Sequence, residues 1–149
     1  MSSNRTKEGQ TGISKAVDVQ AAPDVVYRAV STADGLRGWW CKNVTLEDCP
    51  EGILSLRFPS GHVARIRFAK GKAGSRAEWD VLDHNAMPEW IGTRLVFAIE
   101  QNGARSSKLQ FEHAGLNPRC ECYGPCDNAW AYLMGSLKAL LENGKGTPA

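Results

Sequence analysis

The stretch Asn128-Ala-Trp-Ala-Tyr-Leu-Met-Gly-Ser-Leu-Lys-Ala-Leu-Leu141 decides the fold. Trp130, Leu133, Met134, Leu137 and Leu141 recur every three or four residues and form one apolar stripe along an amphipathic helix. Asn143-Gly144 supplies a C-terminal stop, and Gly124-Pro125 a plausible start. A helix this long needs a broad apolar surface to lie on, and the upstream sequence supplies one.

Upstream of that helix the apolar period is two. Leu54, Leu56 and Phe58 alternate with Ser55 and Arg57, and His62, Ala64, Ile66 and Phe68 alternate with Val63, Arg65 and Arg67. Ala77, Trp79 and Val81 share one face of a further strand, Leu95, Phe97 and Ile99 one of another, and Leu109, Phe111 and His113 complete the set. Pro59-Ser-Gly61, Lys70 to Gly74 and Gln101-Asn-Gly103 read as turns. Short turns between consecutive strands predict an antiparallel meander.

At the opposite end, Ile13 to Gln20 reads as a first strand. Pro23 suits the first turn of a helix, Asp24 complements its dipole, and Val25, Val26, Ala29 and Val30 share one face. Thr32 or Asp34 caps a second short helix running toward Trp39 and Trp40. The expectation is an α+β domain over residues 12–143, with a curved antiparallel sheet wrapped around a long C-terminal helix. A disordered tail is expected over 1–11 and a flexible one over 144–149. A helix lying across a curved sheet leaves a space that a small apolar ligand can occupy.

With 149 residues the chain is large enough to bury one core. A net charge of +2 is too weak to indicate nucleic acid, and the cluster Arg65, Arg67, Lys70 and Lys72 reads as the solvated face of a strand. No stretch approaches the roughly 20 apolar residues of a membrane span, and Met1 to Gly12 has no signal-peptide core. A cytoplasmic protein whose five cysteines stay reduced is expected.

The order β, α, α, several β, long α resembles the START-like (SRPBCC) superfamily, whose fold is the helix grip. Within it, the chain looks most like the family named after the C-terminal domain of the heat-shock protein 90 ATPase activator. The matching segments are Ala22-Pro-Asp-Val-Val-Tyr27, Gly35-Leu-Arg-Gly-Trp-Trp40, Thr93-Arg-Leu-Val-Phe97 and His113-Ala-Gly115. Glu121-Cys-Tyr-Gly-Pro-Cys-Asp-Asn-Ala-Trp130, Ser136-Leu137 and Leu140-Leu141 extend the match to residues 12–145. The resemblance implies the helix-grip fold; for function it implies lipid or sterol binding, polyketide cyclisation or assistance to a chaperone. The additional N-terminal domain of the chaperone activators is not expected in these 149 residues, which counts against a co-chaperone role.

Candidates to face the space between sheet and helix are Trp39, Trp40, Phe58, Phe68, Trp79, Trp90, Phe97, Phe111, Trp130 and Met134, with His62, His113 and Tyr123 as polar partners. The same alternation also fits a solid core. None of the three histidines has a nucleophile elbow or metalloprotease motif beside it, so no catalytic residue is assigned. Cys120, Cys122 and Cys126 do not form paired zinc knuckles, so neither metal nor cofactor is expected. Cys126 near the helix start reads either as a thiol activated by the dipole or as a small packing residue.

The leading functional expectation is binding of a small hydrophobic or amphipathic molecule, lipid-like or polyketide-like, with loops near Trp39–Trp40 and Met87–Trp90 as the gate. Two alternatives differ in class. An interaction module for a chaperone or other protein predicts a filled interior and an exposed apolar patch. A cyclase- or hydrolase-type enzyme predicts a pocket polar group with a shifted pKa.

Overall fold

The computed structural model describes residues 12–47, 52–116 and 123–149, with the backbone alone at Tyr123. The elements are β1 (Ile13–Val19), α1 (Pro23–Ser31), α2 (Ala33–Trp39), β2 (Val44–Leu46), β3 (Ile53–Arg57), β4 (Val63–Lys72), β5 (Arg76–His84), β6 (Arg94–Gly103), β7 (Ser106–Ala114) and α3 (Tyr123–Asn143). A 3₁₀ turn, Pro88–Trp90, joins β5 to β6. The seven strands form one antiparallel sheet in the order β1-β7-β6-β5-β4-β3-β2. It is a meander in which β1 closes onto β7.

The sheet's inner face is set by register. Trp79, Leu95, His113 and Ile13 lie in one row across β5, β6, β7 and β1, and Ala77, Phe97, Phe111 and Lys15 in the next. α3 lies across these rows. Trp130 packs on Phe111 in a tilted arrangement at 4.2 Å and meets Trp40 at 5.3 Å, while Lys15 reaches up to Asp127 at 2.9 Å. Trp130 is fully buried. Taking ~200 Å² of ring surface from water contributes on the order of 5 kcal/mol before entropy is counted.

Two indole N–H groups hold α1, one from α2 and one from the sheet. Trp39 Nε1 donates to the Ala29 carbonyl at 2.8 Å, and Trp79 Nε1 to the Val30 carbonyl at 2.9 Å. Thr32 caps α2, its Oγ1 accepting from Gly35 N–H at 3.0 Å. At Gly35 a Cβ would stand 2.5 Å from the Arg28 and Ala29 carbonyl oxygens, so glycine is what lets α2 turn this tightly off α1.

Two turn positions are revised. Gln101-Asn-Gly103 is not the turn itself. A bulge between Gln101 and Gly103 keeps these residues in β6, and the chain reverses at Ala104 and Arg105. Lys70 to Lys72 likewise continue β4 past a bulge after Phe68, so the turn falls around Gly74. Residues 144–149 make hydrogen bonds to the body of the domain. Ala149 N–H donates to the Trp40 carbonyl, Lys42 N–H to the Ala149 carbonyl, and Thr147 N–H to Ser136 Oγ. The expected tail over 1–11 lies outside the described residues.

The outer face is charged and paired. Arg65 holds Glu47 through two hydrogen bonds, and with Ser55 it keeps that carboxyl down at about 2. Glu78, 3 % exposed, is clasped by Arg76 and Arg94, and Arg94 also holds Asp80 at 2.8 Å. The basic cluster of β4 is therefore partly an ion-pair lattice.

Candidate functional site

The interior between sheet and helix is mostly solid. A chain of rings runs through it, with Trp39 on Trp40 at 5.7 Å, Trp40 against Trp130 at 5.3 Å, and Trp130 stacked on Trp90 at 5.8 Å. Trp39, Phe97, Phe111, Trp130 and Met134 fill this core; Trp79 lies in it too, with Phe68 packed on its edge. None of these seven lines an opening at the end of the helix where the ring chain emerges.

That opening is a half-open groove of about 700 Å³ between β4, the β5–β6 loop, the first turns of α3 and the C-terminal segment. Trp40, Phe58, Ala64, Met87, Trp90, Cys126, Ala129 and Leu133 form its apolar walls. His62, His84, Ser60, Tyr132 and Thr147 supply its polar atoms, and Pro59, Pro125, Pro148 and Ala149 complete the rim. No Lys, Arg, Asp or Glu lines it among the described residues. Of the residues the sequence nominated, Trp40, Phe58, His62 and Trp90 meet here. His113 lies behind Trp90 instead, and the Tyr123 side chain lies outside the described residues, as do Cys120 and Cys122.

Trp90 is the inner wall, held on both sides. Behind it, Trp130 Nε1–H donates to His113 Nδ1 at 3.1 Å. The proton of His113 is therefore on Nε2, which donates to Thr93 Oγ1 at 2.9 Å, and the Thr93 hydroxyl donates to the Trp90 carbonyl. His113 is fully buried without a charged partner, and burial drives its pKa down to about 3. It is a neutral structural strut. In front, Trp90 Nε1–H donates to Cys126 Sγ at 3.2 Å, and the Cys126 thiol points to Met87 Sδ at 3.7 Å. Cys126 thus sits buried in the first turns of α3, occupied by these two contacts.

His84, at the end of β5, stands at the groove. Its Nδ1 accepts two backbone N–H groups, Ala86 at 3.2 Å and Met87 at 3.0 Å, so it shapes the loop that delivers Trp90. Burial, then the neighbouring His62, lower its pKa, while Asp83 opposes them. The ring packs 5.1 Å from Trp90 and 6.3 Å from His62. The sequence places His84 in a loop and gives no sign of this role. The spacing of Cys126, Ala129 and Leu133 on one helical face is a signal that does point to a wall.

A second groove, of about 680 Å³, lies outside the core between α1, α2 and the end of α3, with Val25 and Leu46 exposed and Arg28, Asp34 and Arg37 at its edge. It has no aromatic wall. Among the described residues no cluster of His, Cys, Asp and Glu is placed to hold a metal ion, and no helix is long and apolar enough to cross a membrane.

With this geometry in view, the fold can be set beside known proteins. No protein-family model and no curated protein matches the chain. Among solved structures, the Aha1 dimer from Colwellia psychrerythraea superposes with a TM-score of 0.77 at 25% identity, over 92% of this chain and 100% of that one. The chain adopts the Aha1-like helix-grip fold of the START-like superfamily. DynU16, from the dynemicin biosynthetic locus, superposes with a TM-score of 0.69 at 18% identity, over 92% of this chain and 49% of that one. SSP2350 from Staphylococcus saprophyticus gives 0.68 at 16% identity, over 92% and 96%. These last two share the fold alone. The Aha1-like fold is thus common to proteins of different setting, and supports ligand binding or protein interaction as the class of function.

Proposed function

We propose that this helix-grip protein binds a small, largely apolar molecule in the groove before Trp90. The observation that carries the reading is the groove itself: about 700 Å³, walled by Trp40, Phe58, Trp90, Met87 and Leu133. That volume lies within the ~300–1,000 Å³ range of small-molecule sites. Its walls are mostly apolar, with few polar atoms, and one wall is held rigid by the Trp130–His113–Thr93 strut. The Met87–Trp90 loop and the fastened C-terminal segment border the opening, so they control access to it. We also place the protein in the cytoplasm, where free thiols such as Cys41 and Cys126 persist.

The test is a blocked groove. Ala129 is exposed on the α3 wall, so Ala129→Trp fills the opening while leaving the core alone. Native mass spectrometry after expression, with organic extraction of anything retained, is expected to show a bound apolar molecule on the wild type and none on Ala129→Trp. Titration with an apolar fluorescent probe supplies the same comparison for protein purified free of ligand. Equal probe binding by both proteins would refute the assignment.

The second groove favours an interaction-module reading, since Leu46 is 65 % exposed beside Val25. Sedimentation over a concentration series checks it: self-association abolished by Leu46→Glu supports that reading, and a monomer at all concentrations removes a second copy of this chain as the partner.

A further inference from the structure

The groove contains one polar atom whose chemistry the protein leaves incomplete. His84 is 4 % exposed, and its Nδ1 is saturated by the Ala86 and Met87 N–H groups. Two donors on Nδ1 leave no place for a proton there, so the ring proton is on Nε2. The Nε2–H finds no hydrogen-bond partner among the described residues, yet it is not sealed in the core, because among those residues no side-chain nitrogen or oxygen is both fully buried and unpaired. The ring lines the groove, and Nε2 is the ring nitrogen that the loop amides do not engage. A donor this buried, on a side chain that lines a cavity, is what a ligand acceptor satisfies.

We propose that His84 Nε2–H anchors a neutral carbonyl oxygen, so that the groove takes flat apolar ketones, esters or amides in preference to hydrocarbons and carboxylates. The inference rests on the groove being a ligand site. Flatness follows from the aromatic character of the walls, Trp90 and Trp40 among them, since aromatic rings favour flat partners. Neutrality follows from the same Nδ1 contacts. A carboxylate gains most from an imidazolium, but a second ring proton would have to displace both backbone donors. With no Lys or Arg lining the groove among the described residues, the anion loses its water without gaining a counter-charge. The fixed tautomer also makes His84 a donor to whatever binds, and not a base.

Three probes sharing one two-ring body test this: 2-acetylnaphthalene, 2-ethylnaphthalene and 2-naphthoate, titrated calorimetrically into the full chain. One net hydrogen bond predicts that the ketone binds about tenfold tighter than the ethyl compound, with the carboxylate no tighter than the hydrocarbon. His84→Asn keeps an acceptor for the Ala86 and Met87 N–H groups but lacks the Nε2 donor. It is expected to bring the ketone to the hydrocarbon's affinity and leave the hydrocarbon within about twofold. The wild-type ratio stands as a test even if that variant folds poorly. A downfield shift of the His84 Nε2–H proton on adding the ketone provides a direct reading. Equal binding of ketone and hydrocarbon by the wild type would overturn the anchor while leaving the groove assignment intact, and tightest binding of the carboxylate would overturn its neutrality. Binding of all three probes undiminished by Ala129→Trp, or of none to the wild type, would remove the groove assignment and this inference together.

Discussion

Lowering the pH from 7 to 5 should cost the protein about 2 kcal/mol of stability through His113 alone. His113 is neutral in the fold, with its proton on Nε2 and Trp130 donating to Nδ1, and burial takes its pKa from 6.5 to about 3. In the unfolded chain it titrates near 6.5. Between those values the unfolded state binds the extra proton and the native state does not, so stability falls as the pH falls through that window. Above 6.5 the two states bind equally and the effect vanishes. One and a half units below 6.5, at about 1.4 kcal/mol each, gives the figure for pH 5. His84 is lowered too and acts in the same direction. The carboxylates do not confuse this range. Glu47 and Glu142 have lowered pKa values, so their contribution is intact above 4.5 and is lost only as the pH falls further. Urea unfolding at pH 7, 6 and 5, followed by tryptophan emission, measures the loss, and His113→Phe should flatten it by about 2 kcal/mol. Imidazole nitrogen shifts identify the group. A His113 midpoint near 6.5, or an unchanged pH profile in His113→Phe, would refute the buried neutral strut.

Three further outcomes follow from particular contacts. Gly35→Ala drives a methyl into the Arg28 and Ala29 carbonyls and should destabilise the fold by at least ~1–3 kcal/mol, read from its denaturation midpoint. Thr93→Val leaves the buried His113 Nε2–H without its acceptor and removes the donor to the Trp90 carbonyl. The expected loss is ~1–3 kcal/mol, with weaker probe binding because Trp90 is no longer held. Gly146→Val sets a side chain against the Gly38 and Ser136 carbonyls, so hydrogen exchange of residues 144–149 should accelerate while that of the β-sheet stays unchanged.

The fold was legible because its two periods are clean. The stripe from Trp130 to Leu141 names a helix, and pairs such as Ala77/Trp79 and Leu95/Phe97 name strand faces. Asn102-Gly103 marked the β6–β7 hairpin but not the point of reversal, because a bulge, which depends on pairing with β7, absorbed those residues. The site was only half legible. The sequence nominates Trp39, Trp130 and Phe111 together with Trp40 and Phe58, but does not say which end of the core stays open. That depends on where Pro148 and Ala149 lie, and backbone bonds to Trp40 and Lys42 fix them without any side-chain signature. His84 was passed over for a similar reason, since two loop amides define its tautomer. Glu78 shows the converse: a carboxylate on the outer face of β5 becomes buried because arginines cover it.

The row of indoles from Trp39 to Trp90 has an optical consequence. Rings spaced 5.3 to 5.8 Å apart pass electronic excitation from one to the next. Light absorbed deep in the core can therefore reach Trp90, beside the Cys126 sulfur and the His84 ring. Were the proposed ligand seated against Trp90, emission from several tryptophans would change together, an intrinsic optical test of that proposal.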